Sequence, residues 1–467
     1  MEAQNQTGPE KTKSPFLHVP RSERYAMGKE LRKTCPRSSH AKWTAPADRP
    51  DPVELIMESD KERIAKLIPM RHGRMAKTPF TFYRGAALNM ASDLSQTPVS
   101  GIQVQACGDA HLCNFGGFAT PERNVIFSIN DLDETLPAPW EWDVKRLAAS
   151  FVVACRNNHL NKTIEREAVL ECVRSYRENM AIYSGMKTRE LWHFSLGAEI
   201  LLTGLKDPEF RLRAEKRLAK ERGRSISEDI FPKLEQGSGK FKFIKDQLPS
   251  IFHWEGHSPG EVDEIVMDAF NLYRESLTPA HRLLLDRYEP RDAAIKVVGV
   301  GSVGTICWVL LLMTGDGEPF FLQAKEARRS VLEQYAGMSE YPNHGQRVIN
   351  GYRIMQPFSD PFLGWTKGRG GRHFFFRQLR DIKISIRLET FGKTEMLIYA
   401  DWCGQTLALS HARSGDAAVL SGYMGKSDVF DKAIAAFSTA YANQNEKDHA
   451  SFIRAIKEGK IEAEFEE

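Results

Sequence analysis

Residues 107–116 read CGDAHLCNFG, which sets Asp109, His111 and Asn114 within six residues. Shortly downstream, INDLDE adds Asp131, Asp133 and Glu134. Carboxylate and amide oxygens are hard donors, so this set suits Mg2+. A carboxylate beside a hydroxyl can also orient it and take its proton. Zinc on Cys107, His111 and Cys113 is the weaker alternative, because no second Cys/His pair has the spacing of a structural zinc site.

A second constellation lies far along the chain. GVGSVGTI fits G-x-G-x-x-G with Gly299, Gly301 and Gly304, and Ser302 lies between the last two. A dinucleotide fold needs a helix to begin at the last glycine. Here TICWVLLLM follows, which is rich in β-formers and runs into a D-G turn. The expected arrangement is therefore strand, glycine turn, strand, with backbone N–H groups able to approach phosphate oxygens because no Cβ intervenes. In the next apolar stretch, FFLQAKEA, Lys325 needs an anionic partner or an exposed face.

Several elements must position these groups. GIQVQAC alternates as a short strand and delivers the chain into GDAHLCN; NVIFSI is a strand that delivers it into NDLDE. Two strands that each end in carboxylate and amide groups imply one shared site at the strand ends. PVELIMESDKERIAKLIPMRHGRMA and FTFYRGAALNMASDLSQ have helical spacing, and WEWDVKRLAASFVVACRNN reads as a buried helix. The chain from about 160 to 290 reads as largely helical, with RLRAEKRLAKERGR as a solvated face. Strands are expected at IKVVGVG, TICWVLLLM, PFFLQAKEA and HFFFRQLRD, and helices after about 390. The apolar run 297–314 is read as two strands around a glycine turn rather than a membrane span.

The chain has 467 residues and a net charge of +3. That length calls for more than one lobe, and that charge gives no global field for nucleic acid. Seven dispersed cysteines do not form a disulfide framework, and the N-terminus has no apolar leader, so a reducing cytoplasm is the expected compartment. No nucleic-acid or membrane partner is expected. The acceptor and the oligomeric state are not readable from the sequence.

The site residues resemble the protein-kinase-like superfamily, especially its aminoglycoside and choline phosphotransferase branch. GDAHLCN, INDLDE and EWDVKRLA match, in order, that branch's HGDxHxxN loop, its acidic metal strand and an Asp at a helix start. Cys107 replaces the first His of the pattern. Asp109 and Asn114 keep the five-residue spacing of the kinase catalytic loop. The resemblance implies Asp109 and His111 as catalytic residues, and Asn114, Asp131 and Asp133 as metal ligands. It implies Asp143 as a brace for the catalytic loop. Gly299, Gly301, Ser302, Gly304 and Lys325 would hold the nucleotide, with Glu333 paired to the lysine and Glu326 or Glu340 as alternatives. HARSGD, 411–416, resembles a catalytic loop but lacks the Asn and the following acidic strand. The stretch 27–458 is also similar to the bacterial family "domain of unknown function 2252", on RMAKTPFTFYRG, GDAHLCNFG, NDLDETLPAPWEWDVKRLAAS, FLQAKEA and HARSGD.

The glycine loop and lysine follow the acidic loops, the reverse of ordinary kinases, so the implied fold is a circularly permuted, two-lobed α+β one. It has an extension (1–50), a helical catalytic lobe (51–290), a small β-rich nucleotide lobe (291–388) and C-terminal helices completing the helical lobe (389–467). The implied cofactors are ATP and Mg2+. The expected activity is phosphoryl transfer to a hydroxyl-bearing acceptor. Nucleotidyl (AMP) transfer and a nucleotide-binding regulatory module are the alternatives. Arg71, Arg74 and Arg84 either bind an anionic group or pair with local acids.

Overall fold

The computed structural model describes residues 18–205, 208–222, 235–238, 241–254, 262, 264–297, 299–379, 383–384 and 387–465. The fold is mixed α+β. The chain opens with α1 (Arg21–Glu30), α2 (Pro52–Asp60), α3 (Ile68–Ala76), α4 (Pro79–Gly85) and α5 (Ala87–Ser95). Each of the first two helices expected after residue 50 is thus split in two. Asp51 caps α2, but Glu62 takes a positive φ of 69° and Pro69 opens α3, so the chain cannot run straight through. The segment around His40 packs on the C-terminal helices, with its ring nitrogen 2.6 Å from the Tyr423 hydroxyl.

Four short strands follow: β1 (Gln103–Ala106), β2 (Phe115–Ala119), β3 (Val125–Ile129) and β4 (Leu136–Pro139). β1 pairs with β4, and β2 with β3, both antiparallel. Next come α6 (Trp140–Asn157), α7 (Lys162–Gly185), α8 (Thr188–His193), α9 (Ala198–Thr203) and α10 (Pro208–Arg222). The last two residues of the charged run 211–224 lie outside the described residues.

The region expected to be largely helical also holds β5 (Glu235–Ser238), β6 (Phe241–Ile244) and β7 (Ile251–Phe252), before α11 (Glu264–Glu275) and α12 (Pro279–Leu285). The chain then forms β8 (Glu289–Lys296), β9 (Cys307–Met313), β10 (Pro319–Ala327), α13 (Glu333–Ala336), α14 (His344–Met355), β11 (Gly364–Lys367), β12 (His373–Gln378) and β13 (Lys383–Ile384). β8 begins six residues before the strand expected from Ile295. The chain closes with α15 (Lys393–Ser414), α16 (Ala417–Met424) and α17 (Val429–Lys457).

Six strands form one antiparallel sheet in the order β11-β12-β10-β9-β8-β7. Its two faces are both covered. Leu310, Leu312 and Phe320 pack under α11, while Val309, Leu311 and Phe321 pack with Ile244 of β6 on the other side. Coverage of both faces explains why 309–313 reads as an unbroken apolar run. Among the described residues, no helix is long and apolar enough to cross a membrane.

The helical body is centred on α6, whose residues from Trp140 to Cys155 are all buried. The C-terminal α15 and α17 return to pack on α7 and α6. Trp140 stacks on Tyr176 with ring planes 9° apart. Each large apolar side chain buried here contributes about 1.5–3 kcal/mol. That core is the rigid base under the loops that carry the polar groups.

Candidate functional site

β1 ends at Ala106 and the chain turns at Gly108, whose φ is +84°. A Cβ there would lie 2.5 Å from the Glu134 carbonyl oxygen, so the position tolerates no side chain. Asp143, in the first turn of α6, accepts the N–H of Cys107 (2.6 Å) and of Gly108 (3.0 Å). His411 Nε2 lies 3.1 Å from the same carboxylate, and the Tyr176 hydroxyl lies 2.9 Å from His411 Nδ1. A carboxylate only accepts, so Nε2 carries the hydrogen and Tyr176 donates to Nδ1. HARSGD therefore supplies no second loop. Its histidine sits fully buried within α15 and braces the first loop through Asp143.

The rest of the loop is equally tied. The Leu112 N–H donates to Ser150 Oγ at 3.0 Å, and the Tyr399 hydroxyl sits 2.8 and 2.9 Å from the carbonyls of Leu112 and Phe115. Arg146 Nε donates to Asp109 at 2.7 Å, with its guanidinium 4.4 Å from the Tyr83 ring centre. His111 Nε2 lies 3.7 Å from the other Asp109 oxygen. Burial pushes the His111 pKa down to about 4, so the ring is neutral near pH 7.

The β2–β3 hairpin explains how the second loop comes alongside the first. Phe115 pairs with Ile129, so Asn114 and Asn130 face each other at the open end, and the Asn130 N–H donates to the Asn114 carbonyl at 2.6 Å. Asn114 Nδ2 donates to the Asp109 carbonyl at 2.8 Å, leaving the amide oxygen as the atom for a cation. Asp131 and Asp133 follow directly. Lys325, from the central strand β10, places Nζ 2.6 Å from Asp133 and 3.7 Å from Asp131.

The two carboxylates share one ammonium, with the Arg377 guanidinium close enough to act on both. Burial and the neighbouring Asp131 push the Asp133 carboxyl up. For Asp131, burial is outweighed by Lys325 and Arg377, which hold its carboxyl below the usual range. Burial also works against the Lys325 charge, but Asp131 and Asp133 keep it protonated. Asp133 Oδ1 is buried with no hydrogen-bond partner. An orphaned carboxylate oxygen, a second carboxylate and an amide oxygen together fit a hard divalent cation. Glu134 is used otherwise, since it accepts the Val331 N–H at 2.8 Å. Among the described residues, no group of three or more His, Cys, Asp or Glu could hold a metal, which leaves the zinc alternative without a site.

Gly299, Gly301 and Ser302 form a turn between β8 and β9, as the strand–turn–strand expectation requires. Gly304 takes a φ of +86°, and a Cβ there would meet the Arg63 side chain at 3.1 Å. Arg63 donates to the Val303 carbonyl at 2.6 Å, and the Ile64 N–H to the Gly304 carbonyl at 2.8 Å. The glycine turn, Lys325, Asp109, Asn114 and Asp131 all line a single cavity of about 530 Å3.

The family described as an uncharacterized protein conserved in bacteria (DUF2252) matches residues 63–455. The chain belongs to this family. No curated protein and no solved structure matches the chain.

The DUF2252 segment contains every residue of the cavity wall named above. Of the residues singled out in the sequence, Glu333 is not brought to Lys325. It is buried against Arg329 (3.4 Å), His344 (3.7 Å) and Arg347 (3.9 Å). Glu326, next to the lysine on β10, turns away and accepts the Ile306 N–H at 3.0 Å, and Glu340 is exposed. The acidic loop therefore supplies the partner that a helical glutamate was expected to provide. Arg71 is consumed by Asp60 at 2.5 Å.

Three supporting residues escaped sequence reasoning. Arg347 of α14 donates to the carbonyls of Thr135 (2.6 Å), Asp133 (2.9 Å) and Arg328 (2.9 Å), fixing the acidic loop to the start of the segment after β10. Arg377 of β12 bonds Gln323 at 2.9 Å and the Tyr352 hydroxyl at 2.9 Å beside the acids. Arg146 grips Asp109. The only sequence signal for any of them is an arginine within an otherwise apolar element, as in HFFFRQ.

Proposed function

We propose that this chain is an ATP- and Mg2+-dependent phosphotransferase with a circularly permuted, two-lobed kinase-like fold, acting on a hydroxyl-bearing acceptor. One observation carries the reading. Lys325 and the glycine turn, on the six-stranded sheet, meet Asp109, Asn114 and Asp131, on the helical body, across one cavity, although the two sets lie nearly two hundred residues apart in the chain.

In this reading the glycine turn covers the phosphates and Lys325 contacts their oxygens. Asn114, Asp131 and Asp133 hold Mg2+, which neutralises phosphate charge when bound. Asp109, fixed by Arg146, orients the acceptor hydroxyl and takes its proton as the new O–P bond forms and the terminal P–O bond of ATP breaks, releasing ADP. Neutral His111 packs beside Asp109 and keeps water from that carboxylate. Most of the acceleration comes from positioning and electrostatics, so the rigidity of the loops matters more than the strength of any one base.

Calorimetric titration of ATP with Mg2+ into wild type, Lys325→Ala and Asp131→Ala tests the reading. Weakened binding in both variants, with folds intact, joins the two distant segments in one nucleotide site. Absence of binding to wild type sinks it. With binding in hand, γ-labelled against α-labelled ATP separates phosphoryl transfer from nucleotidyl transfer. Binding with transfer of neither label marks a nucleotide-sensing module.

A further inference from the structure

The cations lining the cavity are not equivalent. Arg63 is spent on the Val303 carbonyl, Arg71 on Asp60, Arg377 on Gln323 and Tyr352, and Lys325 on the two aspartates. Arg84, in the last turn of α4, makes no hydrogen bond or ion pair with the described residues. Its Nε is buried without a partner. A buried N–H left unsatisfied costs free energy that a ligand acceptor would recover.

The place of this guanidinium narrows the ligand. Arg84 Nη2 lies 3.8 Å from where a Gly299 Cβ would stand, and the Arg84 carbonyl 3.3 Å from that of Gly301. A side chain at Gly301 would press on the Arg84 backbone, and one at Gly299 would come into contact with the guanidinium. His111 and Cys113 of the catalytic loop line the same cavity, and both feel the Arg84 charge. Arg84 thus approaches the glycine turn and shares one cavity with Asp109. Lys296 makes no ion pair among the described residues either, but it ends β8 on the sheet, where the Arg377 charge opposes its own.

We propose that Arg84 binds the terminal phosphate of a nucleoside triphosphate seated under the glycine turn. This rests on the nucleotide reading above and adds a residue that the kinase-like pattern does not contain. A planar guanidinium can bond two phosphate oxygens at once, and it would offset the charge of the terminal group while Lys325 and the metal face the inner ones.

The test compares ATP and ADP, each with Mg2+, in calorimetric titrations of wild type, Arg84→Ala and Arg84→Lys. In wild type, ATP is expected to bind more tightly than ADP. In Arg84→Ala, ATP affinity should fall on the order of ten- to a hundredfold while ADP affinity stays within about twofold, so the preference disappears. Arg84→Lys should keep part of the preference, because it retains charge but loses the bidentate geometry. Arg84→Ala that weakens ATP and ADP equally, or neither, overturns the assignment while leaving the nucleotide site intact. Wild type that binds neither nucleotide removes the nucleotide reading and this assignment with it, a separate and recognisable result. Thermal melts of each variant confirm the fold; Arg84→Ala removes only the contact with the Phe80 ring, whose centre lies 6.0 Å from the guanidinium, and should shift them little.

Discussion

The loop 107–114 and the glycine loop 299–305 face each other across one cavity, yet they are held by different means. The first is clamped by buried side chains from the helical body: Asp143, Ser150 and Tyr399 each take backbone groups of the loop or of the strand it enters. The second is tied near its end by Arg63 and Ile64, while 299–302 is held by its own turn, with Ser302 N–H to the Gly299 carbonyl at 2.8 Å, and by Val300, which is buried with Met75, Phe82 and Phe452. A loop whose polar backbone is satisfied by buried side chains cannot shift without leaving those groups unpaired. The second loop, held by apolar packing and its own turn, has no buried side chain bonded to its polar backbone at 299–302 among the described residues. One side of the site is therefore a platform fixed by polar bonds, and the other a cover anchored by Val300 and near Gly304.

Substitutions can break this contrast. The largest effect is expected for Asp143→Ala, which strips two buried N–H groups and His411 of their acceptor. Urea unfolding should show a loss of about 3–5 kcal/mol. A loss below about 1 kcal/mol would mean the platform does not depend on its brace. Arg347→Met comes next. It removes the donor to three carbonyls around the acidic loop and should cost about 2–3 kcal/mol by the same measurement.

On the cover side, Gly304→Ala should cost only about 1–2 kcal/mol, from the positive φ and the contact with Arg63. A stability loss as large as that of Asp143→Ala would show the cover to be as rigid as the platform. A pH dependence belongs to the platform side as well. Burial, and then Lys145, lower the His40 pKa to about 3, so the folded ring stays neutral where the unfolded one takes up a proton. This contribution is fully present above about pH 6.5 and is lost as pH falls toward about 3. Melting temperature should drop over that range, and less steeply in His40→Gln. Equal slopes would exclude His40 as the cause.

What the sequence made legible follows from how local each signal is. β1, β3, α6, β9 and β10 declare themselves by alternation or by apolar runs. FGGFA does not read as a strand, because two glycines mask it, yet β2 is what carries Asn114 to Asn130. LPAP likewise hides β4, since its two prolines donate nothing to the ladder. The polar residues at the strand ends were visible as a group, whereas their partners were not. Lys325 announces the need for an anion, but only the docking of the sheet on the helical body decides that Asp133, not Glu333, answers it. Among three early arginines, the sequence could not say that Arg71 is spent on Asp60 while the Arg84 guanidinium makes no hydrogen bond or ion pair with the described residues.

The order of these parts along the chain has a consequence for synthesis. Asp109, Asp131, Asp133 and the Asp143 brace all emerge about two hundred residues before Lys325. At ordinary elongation rates that is a delay of roughly 10–40 s. The acidic hairpin is thus born without its ammonium, and the nascent chain carries an uncompensated pocket of negative charge until the late sheet arrives. That charge is a landing beacon for Lys325, and the closing of the two halves is a step that salt in the medium should slow.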